Sequence, residues 1–279
     1  MKMPKITYQK GSKGQEVRRL QKALGVKPDG VFGKRTGEAV KLYQFDNQLT
    51  TDGIVGPLTL ASLGLEHYHG IDVSRWNGNV RWGNIDLDNC QYAWIKCSQG
   101  VDWYDKKREH NFQGARSMNI PVGGYHFPSP HIGNSQDPKK EVQQFLRALG
   151  TIQTGDMLPV LDLEAGIKGD PEHNRQWALE FLKEFEDETG IRCVVYTARW
   201  YVGSYLKGKI GDLKDYPLWV ADYTNSRTEP DSLCGWDEWS IWQWTGSGYV
   251  AGLDETGIRR VDRNIITGGK AGFDKLRVK

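Results

Sequence analysis

Two carboxylates stand two residues apart in Leu158-Pro-Val-Leu-Asp-Leu-Glu-Ala-Gly166, an apolar run stopped by a glycine. If Val160–Leu163 is a β-strand, alternation puts Asp162 and Glu164 on one face, with Leu161 and Leu163 on the other. Acidic residues are depleted in strands and rarely buried unless paired, so two on one face of an apolar strand need a reason. Repulsion and partial burial would hold one of them protonated beside a charged neighbour, a proton donor next to an anion. Glycoside hydrolysis uses that arrangement. Taken alone, the stretch also fits a strand end with solvated acids, or half of a buried salt bridge.

The elements around it decide between these readings. Gly70-Ile-Asp-Val-Ser74, Tyr92–Ser98, Ile120–Phe127, Arg192–Thr197, Pro217–Tyr223 and Ser240–Thr245 all read as strands. Helical segments lie between several of them: Lys106–Met118, one from Asp137-Pro138 to about Leu149, and one from Asp170-Pro171 to Thr189, stopped by Gly190. Alternating strands and helices imply a mostly parallel sheet. About eight strands, with helices scarce after Leu206, point to an irregular (β/α) barrel, whose active site would lie at the carboxyl ends of the strands. Asp72, Asp162 and Glu164 all fall late in their strands.

The first sixty-odd residues contain a repeat. Asp29-Gly-Val-Phe-Gly-Lys-Arg-Thr36 returns as Asp52-Gly-Ile-Val-Gly-Pro-Leu-Thr59, each copy a turn that opens a helix. Val17, Leu20 and Leu24 mark an amphipathic helix ending at Gly25, and Ala39, Val40, Tyr43 and Phe45 supply a second apolar face. The expected unit is a small three-helix domain over residues 1–65, followed by a barrel over 66–279. His67 and His69 fall in the short junction, read as a surface linker because a lone His-x-His is a weak metal signal.

Composition narrows the function classes. The net charge of +2 in 279 residues does not argue for nucleic-acid binding. No run approaches the ~18 apolar residues of a membrane helix. The start, Met1-Lys-Met-Pro-Lys-Ile-Thr-Tyr8, lacks the apolar core of a signal peptide, so the product is expected to be held in the cytoplasm. Cys90, Cys97, Cys193 and Cys234 form no Cys-x-x-Cys pair and read as reduced, buried thiols. With 11 Trp and 12 Tyr, aromatic surface for stacking on sugar rings is available.

Residues 8–64 resemble the type 1 peptidoglycan-binding domain of wall hydrolases, through Lys10-Gly-Ser-Lys-Gly14, Val17, Leu20-Gln21, Leu24 and the two Asp-Gly-x-x-Gly-x-x-Thr elements. Residues 70–279 resemble family-25 glycoside hydrolases, the N-acetylmuramidases or lysozymes of phages, bacteria and fungi. Gly70–Ser74 with Asn77-Gly78, Ile95-Lys96, Gly124-Tyr-His-Phe127, Pro159–Glu164, Tyr196-Thr197, Leu218-Trp-Val-Ala221 with Tyr223, Trp242-Gln243 and Val261-Asp-Arg-Asn264 fall in that family's order. The resemblance implies cleavage of the β-1,4 bond between N-acetylmuramic acid and N-acetylglucosamine, without metal or cofactor. It implies a catalytic set of Asp72, Asp162, Glu164 and Asp262, with Glu164 as proton donor and Asp162 on the substrate's acetamido group. Lys96, Tyr125, Trp219, Tyr223 and Gln243 are the implied substrate-binding residues. Parity excludes Asp222, and Gln99 stands where many relatives carry Glu. The whole chain looks like a phage endolysin, expected to stay in the cytoplasm until lysis; its partner would be bacterial peptidoglycan, with no nucleic acid or membrane, and it would act as a monomer. A bacterial autolysin and a non-catalytic wall-binding protein are the alternatives. An amidase or peptidase would want zinc ligands or a Cys/His pair, which six scattered His without His-Glu-x-x-His do not provide.

Overall fold

The computed structural model describes residues 6–130, 137–224, 227–253 and 260–279; residues 1–5 of the expected small domain, which carry most of the segment read for a signal peptide, lie outside the described residues. Three helices come first: α1 (Gln15–Ala23), α2 (Lys34–Asp46) and α3 (Pro57–Ser62). They pack around Tyr8, Val17, Leu20, Phe32, Val40, Val55 and Leu60, all buried.

One glutamine per copy ties each repeat together. Gln21 Nε2 lies within hydrogen-bond distance of Asp29 Oδ1 (2.8 Å), Val31 O (3.0 Å) and Thr36 Oγ1 (3.0 Å), while its Oε1 accepts from Gly30 N (2.8 Å). Gln44 repeats the pattern with Asp52 (3.0 Å), Ile54 O (3.0 Å), Thr59 (3.3 Å) and Gly53 N (2.9 Å). Both glutamines are buried, so these bonds satisfy amides that would otherwise be orphaned. The expected apolar face of α2 needs one correction. Its buried stripe is Thr36, Val40 and Gln44, four residues apart, whereas Phe45 is turned about 100° away and is 72% exposed.

The junction is also not a surface linker. Strand β1 (Tyr68–Val73) starts almost at once. The His67 side chain is 4% exposed, its Nε2 3.4 Å from Glu16 Oε2 on α1. His69 lies within β1, and burial pushes its imidazole down to about 3.

Eight strands close the barrel in the order β1, β2 (Tyr92–Gln99), β4 (Val122–Phe127), β5 (Val160–Asp162), β6 (Val194–Ala198), β7 (Leu218–Ala221), β8 (Ile241–Gly248) and β9 (Val261–Ile266), which returns to β1. The short β3 (Trp103–Tyr104) hangs outside on β2. Pairing is parallel from β1 through β8; β9 is antiparallel to both neighbours. Residues at the start of β9 therefore sit at the same end of the barrel as the carboxyl ends of the other strands.

Helices α4 (Arg108–Ser117), α5 (Pro138–Leu149) and α6 (Pro171–Thr189) cover the outside. Asp137 and Asp170 cap α5 and α6 through Lys139 N and His173 N, and Gly190 ends α6 in the left-handed conformation. Only α7 (Arg199–Ser204) and α8 (Gly269–Lys275) follow among the described residues. Strand alternation holds in β5: Val160 joins Trp94, Tyr196 and Trp219 inside, while Leu161 and Leu163 pack with Phe181 beneath the helices. All four cysteines are free and buried.

Candidate active site

A cleft of about 440 Å³ opens at the carboxyl ends of the strands. Asp72, Asp162, Glu164 and Asp262 line it, together with Lys96, Tyr125, Trp219, Tyr223 and Gln243, so the nine residues singled out by sequence meet in one place. Asp222 is not among the lining residues. It lies just past the end of β7, and its carboxylate accepts from Arg227 (3.0 Å) and Asp231 N (2.6 Å) outside the cleft.

A hydrogen-bonded chain fixes one wall. Asp72 Oδ2 accepts from Gln243 Nε2 (2.9 Å) and Asn264 Nδ2 (2.8 Å). Gln243 Oε1 in turn accepts from the hydroxyls of Tyr196 (3.0 Å) and Tyr223 (2.8 Å). Asn264 Oδ1 accepts from Trp219 Nε1 (3.0 Å). The network thus orients both amides: each donates its N–H to Asp72, while the Gln243 oxygen accepts from two tyrosine hydroxyls and the Asn264 oxygen from the Trp219 N–H. Trp219 is 2% exposed and tilts against Trp94 at 4.6 Å, so its ring is part of the barrel core and its edge part of the cleft.

Tyr196 and Asn264 are members of this chain that the site reading passed over. Parity could have found Asn264, two residues from Asp262 on the same strand. Trp76 (81% exposed), Asn77 and Arg260 also line the cleft. Ser74 and Asn77 cap each other around the 3₁₀ turn Arg75–Asn77, which carries Trp76 to the rim.

Four acids in one buried cleft cannot all ionise freely. Burial lifts Asp72 to about 6 despite its two hydrogen bonds. Burial, reinforced by the charge of Asp72, lifts Asp262 to about 8. Asp162 is raised well above the usual carboxylate range, by burial first and then by Glu164. Glu164 is raised too, but by burial before any charge; Asp72 adds to the rise and Lys96 opposes it. Asp162, the inward-facing end of β5, is 8% exposed, whereas Glu164 lies past the strand end and is half-buried. Lys96 is pulled down by burial and held up chiefly by Asp162. Its Nζ meets the neutral Gln99 Oε1 (3.3 Å) and lies over the Phe127 ring (4.7 Å). Asp162 Oδ1 is buried with no hydrogen-bond partner among the described residues.

A barrel with four carboxyls in a cleft at this end holds the groups that hydrolysis of a glycosidic bond uses. Comparison with known proteins narrows the class. Residues 71–253 match the sequence model of glycosyl hydrolases family 25, and residues 13–63 match that of a peptidoglycan binding domain. Lysozyme M1 of Streptomyces globisporus is 28% identical over 210 residues, covering 72% of this chain and 68% of that one. The bacterial lysozyme of Streptomyces coelicolor superposes with a TM-score of 0.66 at 26% identity, over 75% of this chain and 96% of its own. The CTP1L endolysin does so with 0.57 at 26%, over 74% and 69%. The chain belongs to glycosyl hydrolases family 25. It is a muramidase that carries a peptidoglycan-binding domain, and peptidoglycan is its substrate.

Proposed function

We propose that Glu164 is the proton donor of a substrate-assisted, retaining cleavage of the β-1,4 bond between N-acetylmuramic acid and N-acetylglucosamine. The observation that carries this reading is the buried, unpartnered Oδ1 of Asp162 beside an acid whose environment favours the protonated form. The substrate's 2-acetamido N–H supplies the donor that Asp162 lacks. The acetamido oxygen attacks the anomeric carbon as the glycosidic bond breaks, and the Glu164 proton goes to the departing oxygen. Water then opens the cyclic intermediate, returning its proton to Glu164. Asp72 and Asp262 hold the sugar at the opposite wall, and Lys96, Tyr125, Trp219, Tyr223 and Gln243 shape the cleft around it.

Residues 1–65 tether the enzyme to the wall and 66–279 cut it. The likeness to the CTP1L endolysin supports a role in phage host lysis, the enzyme waiting in the cytoplasm until then. Proton NMR of the first-formed product tests the mechanism. A β anomer is expected, since two displacements at one carbon restore configuration. An α anomer overturns it and makes Asp72 or Asp262 the base that activates water.

A further inference from the structure

The two copies of the small-domain repeat agree where they build the fold and differ where a second cleft opens. Gln21/Gln44, Asp29/Asp52, Gly30/Gly53 and Thr36/Thr59 are matched and make matching hydrogen bonds. The cleft, about 470 Å³, lies between the first helix turns of α2 and the second copy's turn. Lys34, Gly37 and Lys41 line it on one side, Lys10 and Ile54 on others. In the second copy the positions of Lys34, Gly37 and Lys41 are taken by Pro57, Leu60 and Gly64. Leu60 is buried and fills its place; Gly37 leaves its place open.

Gly37 has no packing reason to be glycine. A Cβ there would meet only Phe32 Cε1 at 3.5 Å, an ordinary contact, and α2 is helical on both sides of it. A glycine inside a helix is unfavourable relative to alanine. What its missing side chain provides is space in the cleft. Two acids share the lining: Asp52 is held by Gln44 and Ile54 N, and Glu38 lies 3.8 Å from Lys34, so three lysines stand against two carboxylates and the balance stays positive. The ammonium groups of Lys10, Lys34 and Lys41, all on exposed residues, set the charge of the opening.

We propose that this cleft is the wall-binding site and that it takes the carboxylate-bearing peptide stem of peptidoglycan rather than the glycan strand. The inference rests on the reading that the small domain binds the wall. Stem carboxylates meet Lys34, Lys41 and Lys10, while the small alanyl side chains lie against Ile54 and the space left by Gly37.

Retention of the full-length chain on purified, insoluble sacculi tests it, alongside sacculi stripped of their peptide stems by an amidase. The variants are Gly37→Leu, the residue of the second copy, and the double change Lys34→Glu with Lys41→Glu, which touches only exposed side chains. A third, Phe45→Ser with Leu58→Ser, alters residues 72% and 78% exposed that do not line the cleft. Each cleft variant is expected to reduce retention on intact sacculi by about tenfold or more, as the loss of charged hydrogen bonds predicts. On stripped sacculi wild type and variants should be equally weak, and rates on soluble wall fragments should be unchanged. Wild-type retention by the charge-reversed chain overturns the proposal, whether or not Gly37→Leu folds. So does equal loss by the cleft variants on stripped sacculi, which moves the ligand to the glycan. If only the Phe45/Leu58 variant detaches, the domain binds the wall through another face. If none of the three matters, the wall-binding reading of the domain falls as well.

Discussion

Asp72 and Asp262 are direct neighbours, paired in register across the antiparallel β1–β9 ladder. The reversal of β9 makes them so, because it brings the start of the last strand alongside the end of the first. Two carboxyls on adjacent strands cannot both be charged at low cost in a buried site, so the pair holds a proton near neutrality, with Asp72 ionising first.

Replacing Asp262 by Asn therefore has two expected effects. Turnover on soluble fragments should fall by about tenfold or more, as for a group that touches the sugar. Stability should move the other way at high pH. The folded-state value of about 8 lies above the ~3.9 of an unfolded aspartate, so the native state holds a proton the unfolded chain has lost. Wild-type stability then falls as pH rises from about 4 to 8 and levels off above that. The Asn variant lacks that loss, so its Tm should exceed wild type at pH 8 and converge with it near pH 4. A variant Tm below wild type at pH 8, with per-molecule activity intact, would make Asp262 a structural partner only.

Lys96 offers a test by pH profile. If Glu164 is the acid, activity falls as pH rises through its raised value. The Lys96 charge lowers that value. Lys96→Met removes the charge, so the alkaline limb of kcat/KM on soluble fragments should shift to higher pH. A limb that stays, or moves down, separates Lys96 from Glu164.

Much of this site was legible in the chain because alternation in a strand is a rigid rule. Asp162 inward and Leu161 outward follow from period two alone, and late positions in parallel strands converge wherever a barrel closes. The antiparallel turn of β9 left no local mark in Val261-Asp-Arg-Asn264, because strand direction is set by the connection before it. The support network was equally hidden, since Gln243, Tyr196 and Asn264 lie on separate strands and act through side-chain bonds between them. In the junction, His67 looked like linker because its burial comes from Glu16, about fifty residues earlier. Of the two causes expected for the pair, repulsion and burial, burial comes first at Glu164, and the charge that adds to it is that of Asp72, far away in the chain.

Glu164→Gln keeps the shape of the side chain and removes the acid. Turnover should fall by about 10²–10⁴-fold, the range for a general acid. Retention on sacculi and Tm should be close to wild type, apart from a gain at high pH where the buried carboxylate is no longer ionised. Residual activity within a few-fold of wild type would remove Glu164 from the proton-donor role.

The last prediction concerns how the two parts of the chain hold together. Gln15, at the start of α1, grips the barrel backbone at one residue, its Nε2 donating to Trp239 O (2.9 Å) and its Oε1 accepting from Trp239 N (2.8 Å). Glu229 from the barrel accepts from Glu16 N (3.2 Å), and Arg19 donates to Thr267 Oγ1 (2.7 Å). These contacts are polar and directional, so the small domain docks in one orientation. Gln15→Ala leaves both Trp239 backbone groups without this partner, a loss of about 1–3 kcal/mol. In a chain of this size that corresponds to a Tm lower by very roughly 2–10 °C. A fragment of residues 66–279 should also melt lower than the full chain, because Trp239 loses its cover and His67 loses Glu16. It should nevertheless keep its rate on soluble fragments, since among the described residues none that lines the catalytic cleft comes from the small domain. On intact walls at low protein concentration its rate should drop, because the tether no longer concentrates the barrel at its substrate. Calorimetry and turbidity loss read the two effects separately. Equal Tm values would show that the interface contributes nothing to stability, and equal rates on intact walls would remove the tethering role of the small domain.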